Sequence, residues 1–71
     1  MSTFKLLQDY CAKHELPTPK AIARYGSYGG NIGIVEIGEN IYEDNRERNQ
    51  REEATEAASL LALRDLLNLK K

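Results

Sequence analysis

The sequence is poor in cysteine and histidine, with one residue of each, and it contains no tryptophan. Cys11 therefore has no second cysteine to pair with, and with His14 it cannot supply the ligands of a zinc site. The longest apolar run has four residues, whereas a membrane-spanning helix needs roughly 20. The N-terminus also has no basic-then-apolar profile typical of a signal peptide. We therefore expect an intracellular chain, cytoplasmic or nuclear, with no metal, no cofactor and no membrane contact.

Residue groups that carry out catalysis are also missing from the sequence. It shows no paired catalytic side chains and no glycine-rich phosphate loop, so we expect neither an enzyme nor a small-molecule substrate. Cys11 is interpreted as a small core residue, because no base that would activate a nucleophile is evident beside it. Residues 1–71 are enough for one domain with one core.

Positive charge is scarce as well, since the net charge is −1. A chain of this charge has no overall attraction for a polyanion. Between Glu36 and Glu56 eight acidic residues stand against three arginines. The middle of the chain is therefore its acidic part, and the two ends carry the excess of basic residues.

Hydrophobic spacing predicts a helix at the start of the chain. Phe4, Leu7 and Cys11 recur at intervals of three and four residues, which is typical of an amphipathic helix over residues 4–16. Pro17 ends it, because proline cannot donate a backbone hydrogen bond and disfavours helix in the residue before it.

The middle of the chain reads as three short antiparallel strands. Weak alternation over residues 20–28 indicates the first strand, and the glycine-rich residues 26–31 indicate a turn. A β-branched run over residues 32–37 indicates the second strand. A second turn at residues 38–40 leads to a short strand at residues 41–42.

A long helix closes the sequence, because residues 50–69 contain neither glycine nor proline. We predict that one face of this helix carries mostly small residues and packs closely on a sheet, namely Ala54, Ala57, Ala58, Leu61 and Ala62. The fold class is therefore α+β, with the order α-β-β-β-α. We expect a three-stranded antiparallel sheet with both helices on one face and solvent on the other.

Both helical segments resemble those of the double-stranded-RNA-binding domain (dsRBD) family. Residues 6–13 read Leu-Leu-Gln-Asp-Tyr-Cys-Ala-Lys, where the family has Leu-Leu-Asn-Glu-Tyr-Cys-Gln-Lys. Residues 50–66 follow the family's last helix, Ser-Lys-Lys-x-Ala-Lys and then a spaced row of alanines and leucines. The resemblance implies binding of duplex RNA by shape: the first helix and the first hairpin loop touch successive minor grooves, and a basic cluster faces phosphates across the major groove.

Carried over residue by residue, the resemblance gives a set of candidate contacts that departs from the family in places. The candidate RNA-binding residues are Gln8, Asp9, Tyr28, Gly29, Asn31, Arg48, Arg51 and Thr55. The hairpin loop has no counterpart of the family's histidine. Of the three lysines of the basic cluster only the first keeps its charge, as Arg51, while Glu52 and Thr55 replace the others. Arg48 is expected to compensate in part, because arginine can hold a phosphate through two hydrogen bonds.

Two functional interpretations remain open from the sequence. The first is a non-catalytic binding module of an RNA-processing or RNA-remodelling protein, with double-stranded RNA as its partner. The second is a domain of the same fold that has lost RNA binding and docks a protein partner or a second copy of itself. The candidate protein-interface residues are Ile41, Tyr42, Leu60 and Leu67. Glu52 and Glu53 exclude phosphate from this place and so favour the second interpretation slightly, although acidic residues also stabilise the first turn of a helix.

Overall fold

The computed structural model describes residues 2–69 and confirms the predicted α-β-β-β-α order. The elements are α1 (Thr3–Lys13), β1 (Lys20–Tyr25), β2 (Asn31–Ile37), β3 (Asn40–Glu43) and α2 (Arg51–Leu69). The strands form one three-stranded antiparallel sheet in the order β1-β2-β3. The prediction of an α+β fold with a β-meander between two helices is therefore correct. No helix within residues 2–69 is both long and apolar enough to cross a membrane.

The largest differences from the predicted boundaries are at the ends of α1 and β1, each for a local reason. Helix α1 ends at Lys13, before the prolines, because Glu15 adopts a left-handed backbone conformation with φ +57°. Strand β1 ends at Tyr25, because the amide of Gly26 donates to the carbonyl of Gly30 at 2.9 Å and starts the turn there. Helix α1 therefore stops earlier than the residue pattern indicates, whereas the β1–β2 turn starts at Gly26 as predicted and shortens β1.

The core lies between the sheet and the two helices, and the central strand β2 supplies its floor. Val35 and Ile37 alternate inward from β2, while Leu7 and Cys11 reach them from α1. Val35 stands opposite Tyr42 of β3, whose ring packs on the edge of the same cluster. The first helix therefore presents one apolar row to the core and leaves its remaining faces to solvent.

Helix α2 packs on the sheet through small side chains spaced four residues apart. Ala54, Ala58 and Ala62 are fully buried, as the sequence predicts. Ala57 is only half-buried and Leu61 is 40 % exposed, so their predicted place on this face is wrong. Each lies one residue before a buried alanine and is turned from it by about 100° around the helix axis. The contact face is a row of alanines with the fully buried Ser59 beside it, and these small side chains let the helix axis come close to β2.

Glu56 of α2 joins the two helices by capping the start of α1. Its carboxylate oxygens accept hydrogen bonds from the amides of Thr3 at 2.6 Å and Phe4 at 3.1 Å. Ser2 caps the same end by accepting from the amide of Lys5 at 3.0 Å. Burial opposes ionisation of Glu56, but the hydrogen bonds from the α1 amides outweigh it and lower the pKa of the carboxyl. The position of α1 therefore depends on an ionised side chain of α2.

Replacing this carboxylate gives a stability change that depends on pH. Glu56→Gln is expected to lower the free energy of unfolding by about 1 kcal/mol at pH 7, as for other helix caps. A carboxyl with a lowered pKa stabilises the fold above its unfolded pKa of about 4.3, and this contribution is lost as the pH falls through the folded value. The difference in urea unfolding should be largest at pH 7 and should shrink as the pH is lowered toward 3. Glu53→Gln, at an exposed position of the same helix, is the control. An equal loss at both pH values would contradict the capping role.

Candidate nucleic-acid interface

The outward face of α1 carries the first group of candidate contacts. Gln8 is half-buried and Asp9 is exposed, on the side of the helix away from the buried Leu7. Lys5 and Lys13 are also exposed, and each lies four residues from Asp9 on the same helical row. Neither lysine was predicted as a contact, although the spacing of both with Asp9 is visible in the sequence. The α1 surface, which consists of Lys5, Gln8, Asp9 and Lys13, therefore carries more positive than negative charge.

The turn between β1 and β2 places one aromatic side chain at its tip. Tyr28 is 95 % exposed, and Gly29 follows it with φ +81° and open space around its Cα. Asn31, predicted to contact RNA, forms hydrogen bonds with the segment that precedes α2. Its backbone forms two hydrogen bonds with Arg48, both 2.8 Å, and its side-chain amide donates to the carbonyl of Asn49 at 3.3 Å. The tip consists of Tyr28 and Gly29, and Asn31 lies behind it in β2.

A carboxylate from a distant segment lies under this turn. Glu47 accepts hydrogen bonds from the amide of Gly30 at 2.7 Å and from the amide of Tyr28 at 3.1 Å. Arg48 was predicted only as a source of positive charge, and Glu47 beside it was not predicted as part of the site. The glycines at positions 26 and 30 were the one signal of this contact in the sequence, because a Cβ at Gly26 or Gly30 would overlap the Glu47 side chain. The turn and the segment that precedes α2 are therefore physically joined.

Arg48, predicted to hold a phosphate, has an acidic partner within the chain. Its Nε lies 3.0 Å from Oδ2 of Asp44, and only 28 % of its side chain is exposed. The exposed cations of this region are Arg46 and Arg51. A partly buried ion pair keeps its partner, since separating it would leave Asp44 uncompensated. Residues 46–51 therefore contain three arginines, of which only Arg46 and Arg51 are exposed.

The start of α2 adjoins the start of α1 across a shallow groove of about 560 Å³. The residues that line it are Ser2, Phe4, Arg51, Glu52, Thr55 and Glu56. Arg51, Glu52 and Glu53 are exposed, and Thr55 is half-buried. All three positions of the predicted basic cluster, Arg51, Glu52 and Thr55, thus line the same groove, and the middle one is a carboxylate. The arrangement brings the two helix surfaces together but leaves their combined charge close to neutral.

Solved structures of known fold resemble this architecture closely. A solution structure of the dsRBD of a hypothetical protein superposes with a TM-score of 0.82 at 18 % identity, over 90 % of this chain and 51 % of that chain. A crystal structure of the dsRBD of tRNA-dihydrouridine(20) synthase superposes with a TM-score of 0.82 at 19 % identity, over 93 % of this chain and 71 % of that chain. The chain has the dsRBD fold.

The same fold recurs in a mutant dsRBD of human tRNA dihydrouridine synthase (20), with a TM-score of 0.83, 19 % identity and coverage of 93 % of this chain and 70 % of that chain. This chain spans about half the length of the hypothetical protein's chain. No protein-family model and no curated protein matches the sequence. The likeness therefore concerns the fold, and the divergence of the dsRBD-like motifs agrees with the low identity.

The candidate protein-interface residues lie at two separate places on this dsRBD fold. Ile41 is 66 % exposed on the edge strand β3, and Leu60 and Leu67 are 47 % and 48 % exposed on α2. The Tyr42 side chain lies on the other side of β3, where its ring packs on the core and its hydroxyl donates to Oδ2 of Asp65 at 2.7 Å. Burial first, and Asp65 second, raise the pKa of Tyr42 to about 12. The Tyr42 side chain therefore ties β3 to α2, and it is the side chain of Ile41 that β3 exposes.

Metal binding finds no support in the described part of the chain. Within residues 2–69 no group of three or more histidine, cysteine, aspartate or glutamate side chains is arranged to hold a metal ion. Cys11 is buried as a free thiol, and burial raises its pKa. A thiol in that state is a poor nucleophile, since the thiolate is the reactive form. This agrees with its interpretation as a core residue.

Proposed function

We propose that this chain is a single non-catalytic domain that binds double-stranded RNA by shape, within an intracellular RNA-processing or RNA-remodelling protein. The observation that carries the proposal is the dsRBD fold itself, with the α1 surface, the Tyr28 tip and the start of α2 all exposed. A-form RNA offers side chains its wide, shallow minor groove and its phosphates, which suits contacts that are spread over three surfaces. One solved structure of this fold is the dsRBD of a tRNA-dihydrouridine(20) synthase, which supports a parent protein that works on RNA.

The charges around these surfaces indicate that binding is weak. The exposed cations are Lys5, Lys13, Arg46 and Arg51, and the exposed acids are Asp9, Glu52 and Glu53. Phosphate contacts by lysine and arginine supply most of the salt-dependent affinity for nucleic acid. A surface with nearly balanced charge therefore relies on the minor-groove contacts. We expect dissociation constants on the order of micromolar at low salt.

Arg51 is the most important cation for the proposed RNA binding, because it is the one position of the phosphate-facing cluster that retains a positive charge. Arg51→Glu is expected to abolish binding to a duplex of about 16 base pairs, the length that a dsRBD spans. The measurement is a fluorescence-anisotropy titration at low salt with the 71-residue chain. The matched control is Arg64→Glu, which makes the same charge change at an exposed site about 20 Å further along α2.

The outcomes of this titration separate the two candidate functions. Loss of binding in Arg51→Glu with normal binding in Arg64→Glu supports the RNA function. Equal loss in both variants would show that only the overall charge matters, and the proposed site would then be wrong. A second function, docking of a protein partner or a second copy, is favoured by the exposure of Ile41 and Leu60. A chain that ignores the duplex and sediments as a dimer would support that second function.

A further inference from the structure

The turn between β1 and β2 holds an anion of its own. The Glu47 carboxylate lies 2.7 Å from the amide nitrogen of Gly30 through Oε1, and 3.2 and 3.1 Å from the amide nitrogen of Tyr28 through Oε1 and Oε2. Hydrogen bonds from backbone amides to a carboxylate are charge-assisted and stronger than neutral ones. Successive amides that converge on one anion form the small concavity known from anion-binding turns. In this chain the anion is a side chain of the same molecule.

The glycines of the turn make room for this carboxylate. A Cβ at Gly26 or at Gly30 would overlap the Glu47 side chain, whereas a Cβ at Gly29 would meet nothing within 4 Å. Gly29 instead satisfies the backbone, since its φ of +81° strains residues with a side chain. Two of the three glycines in residues 26–30 are therefore explained by Glu47 and not by turn geometry.

The backbone on either side of Glu47 is also fixed. Arg48 and Asn31 exchange two backbone hydrogen bonds of 2.8 Å, and the Arg48 guanidinium pairs with Asp44 at 3.0 Å. Asp44 in turn donates its backbone amide to the carbonyl of Gly33 at 3.0 Å. The residues around Glu47 thus continue the edge of the sheet beside β2. A carboxylate on such a support can hold the turn in one conformation.

We propose that Glu47 is the positioning residue for the RNA contact of this turn, an inference that rests on the proposed RNA function. By binding the amides of Tyr28 and Gly30 it fixes residues 26–30 and presents the Tyr28 ring at the tip. Those two amides are then unavailable to RNA, so the turn contacts the minor groove through the Tyr28 side chain. Fixing a loop in its bound shape raises affinity, because less conformational entropy is lost on binding. Since this contact involves no phosphate, it changes affinity without changing the salt dependence.

A double-mutant cycle tests this coupling. Binding of the duplex is measured at low salt for the natural chain, Glu47→Ala, Tyr28→Ala and the double variant. Each single variant is expected to bind about 3- to 10-fold more weakly, and the double variant about as weakly as either one, because both changes remove the same contact. The slope of affinity against salt should stay as it is in the natural chain. Glu39→Ala, an exposed acid in the other hairpin turn, controls for the loss of one negative charge.

The positioning role would be wrong if the fold-loss of affinity in the double variant equalled the product of the two single losses. Tighter binding by Glu47→Ala would also overturn it. Glu47→Gln keeps one acceptor oxygen and should fall between the natural chain and Glu47→Ala, which guards against a folding defect in the alanine variant. Hydrogen exchange gives a readout without RNA: the amides of Tyr28 and Gly30 should be protected and should lose protection in Glu47→Ala, while the amide of Val35 keeps it. Unprotected amides in the natural chain would overturn the inference whether or not RNA binds. Protected amides without any duplex binding would overturn the proposed function, and with it the RNA role of Glu47.

Discussion

Replacing Gly33 with alanine is expected to remove at least about 3 kcal/mol from the free energy of unfolding. Gly33 lies in the centre of β2, where a Cβ would overlap the backbone carbonyl of Ala54 in α2. A backbone group cannot rotate away as the end of a flexible side chain can, so the whole helix would have to lift from the sheet. The row of alanines on α2 allows the close approach, and Gly33 completes it from the side of the sheet.

This loss is large relative to the stability that a domain of this size has. Folded domains are stable by roughly 0.05–0.15 kcal/mol per residue, which gives about 4–10 kcal/mol here. The measurement is urea denaturation followed by circular dichroism. Gly29→Ala is the matched control, because it adds the same methyl group in open space and costs only the strain of a positive φ, about 1–2 kcal/mol. A Gly33→Ala variant as stable as Gly29→Ala would contradict the packing described for α2 and β2.

The second large effect is a gain of RNA binding. The double variant Glu52→Lys with Thr55→Lys restores the two charges that the phosphate-facing cluster lacks. Each phosphate contact adds about one unit to the slope of log affinity against log salt, so the variant should gain about two units and bind about 100-fold more tightly at physiological salt. Thr55 is half-buried at the groove shared with Phe4. A lysine there can lay its apolar stem along the groove and keep its ammonium in solvent.

The control for this gain places the same charges at the other end of the molecule. Thr18→Lys with Glu39→Lys makes an identical change of net charge at two exposed positions, in the loop after α1 and in the β2–β3 turn. Those positions lie near Gly38, at the end of β2 opposite to Asn31, roughly 20 Å away along the strand. The control variant should gain far less affinity than the α2 variant. Equal gains would show that binding follows net charge alone.

Local patterns in the sequence were sufficient to predict the elements and their order. The spacing of Leu7 and Cys11, the β-branched run of β2 and the absence of glycine and proline after residue 50 all act within one element. The rotation of α2 was predicted less well, because alanine and leucine both fit a packed face. Leu61 is exposed only because the close approach at Gly33 selects the row through Ala58. That selection depends on which strand the helix crosses, which the sequence pattern does not contain.

The candidate site was harder to predict than the fold, because its contacts join residues far apart in the chain. Glu47 lies 17 residues from Gly30 and 19 from Tyr28, and Glu56 lies 53 residues from Thr3. Neither pairing leaves a periodic signal in the sequence. Arg48 was predicted as a free cation because its ion pair with Asp44 depends on the irregular backbone between β3 and α2. The glycines at 26 and 30 were the only local trace of Glu47, and they also fit an ordinary turn.

The dependence of duplex affinity on salt, measured for the unaltered chain, is the sharpest test of RNA binding through these surfaces. Binding is measured by anisotropy on an RNA duplex of about 16 base pairs over a range of salt concentrations, starting at about 50 mM. We predict micromolar binding at the lowest salt with a slope of about −1 to −2, because Arg51 and at most one further cation reach phosphates. Absence of binding at the lowest salt would contradict duplex-RNA binding by this domain. A slope of about −4 or steeper would contradict binding with at most two phosphate contacts.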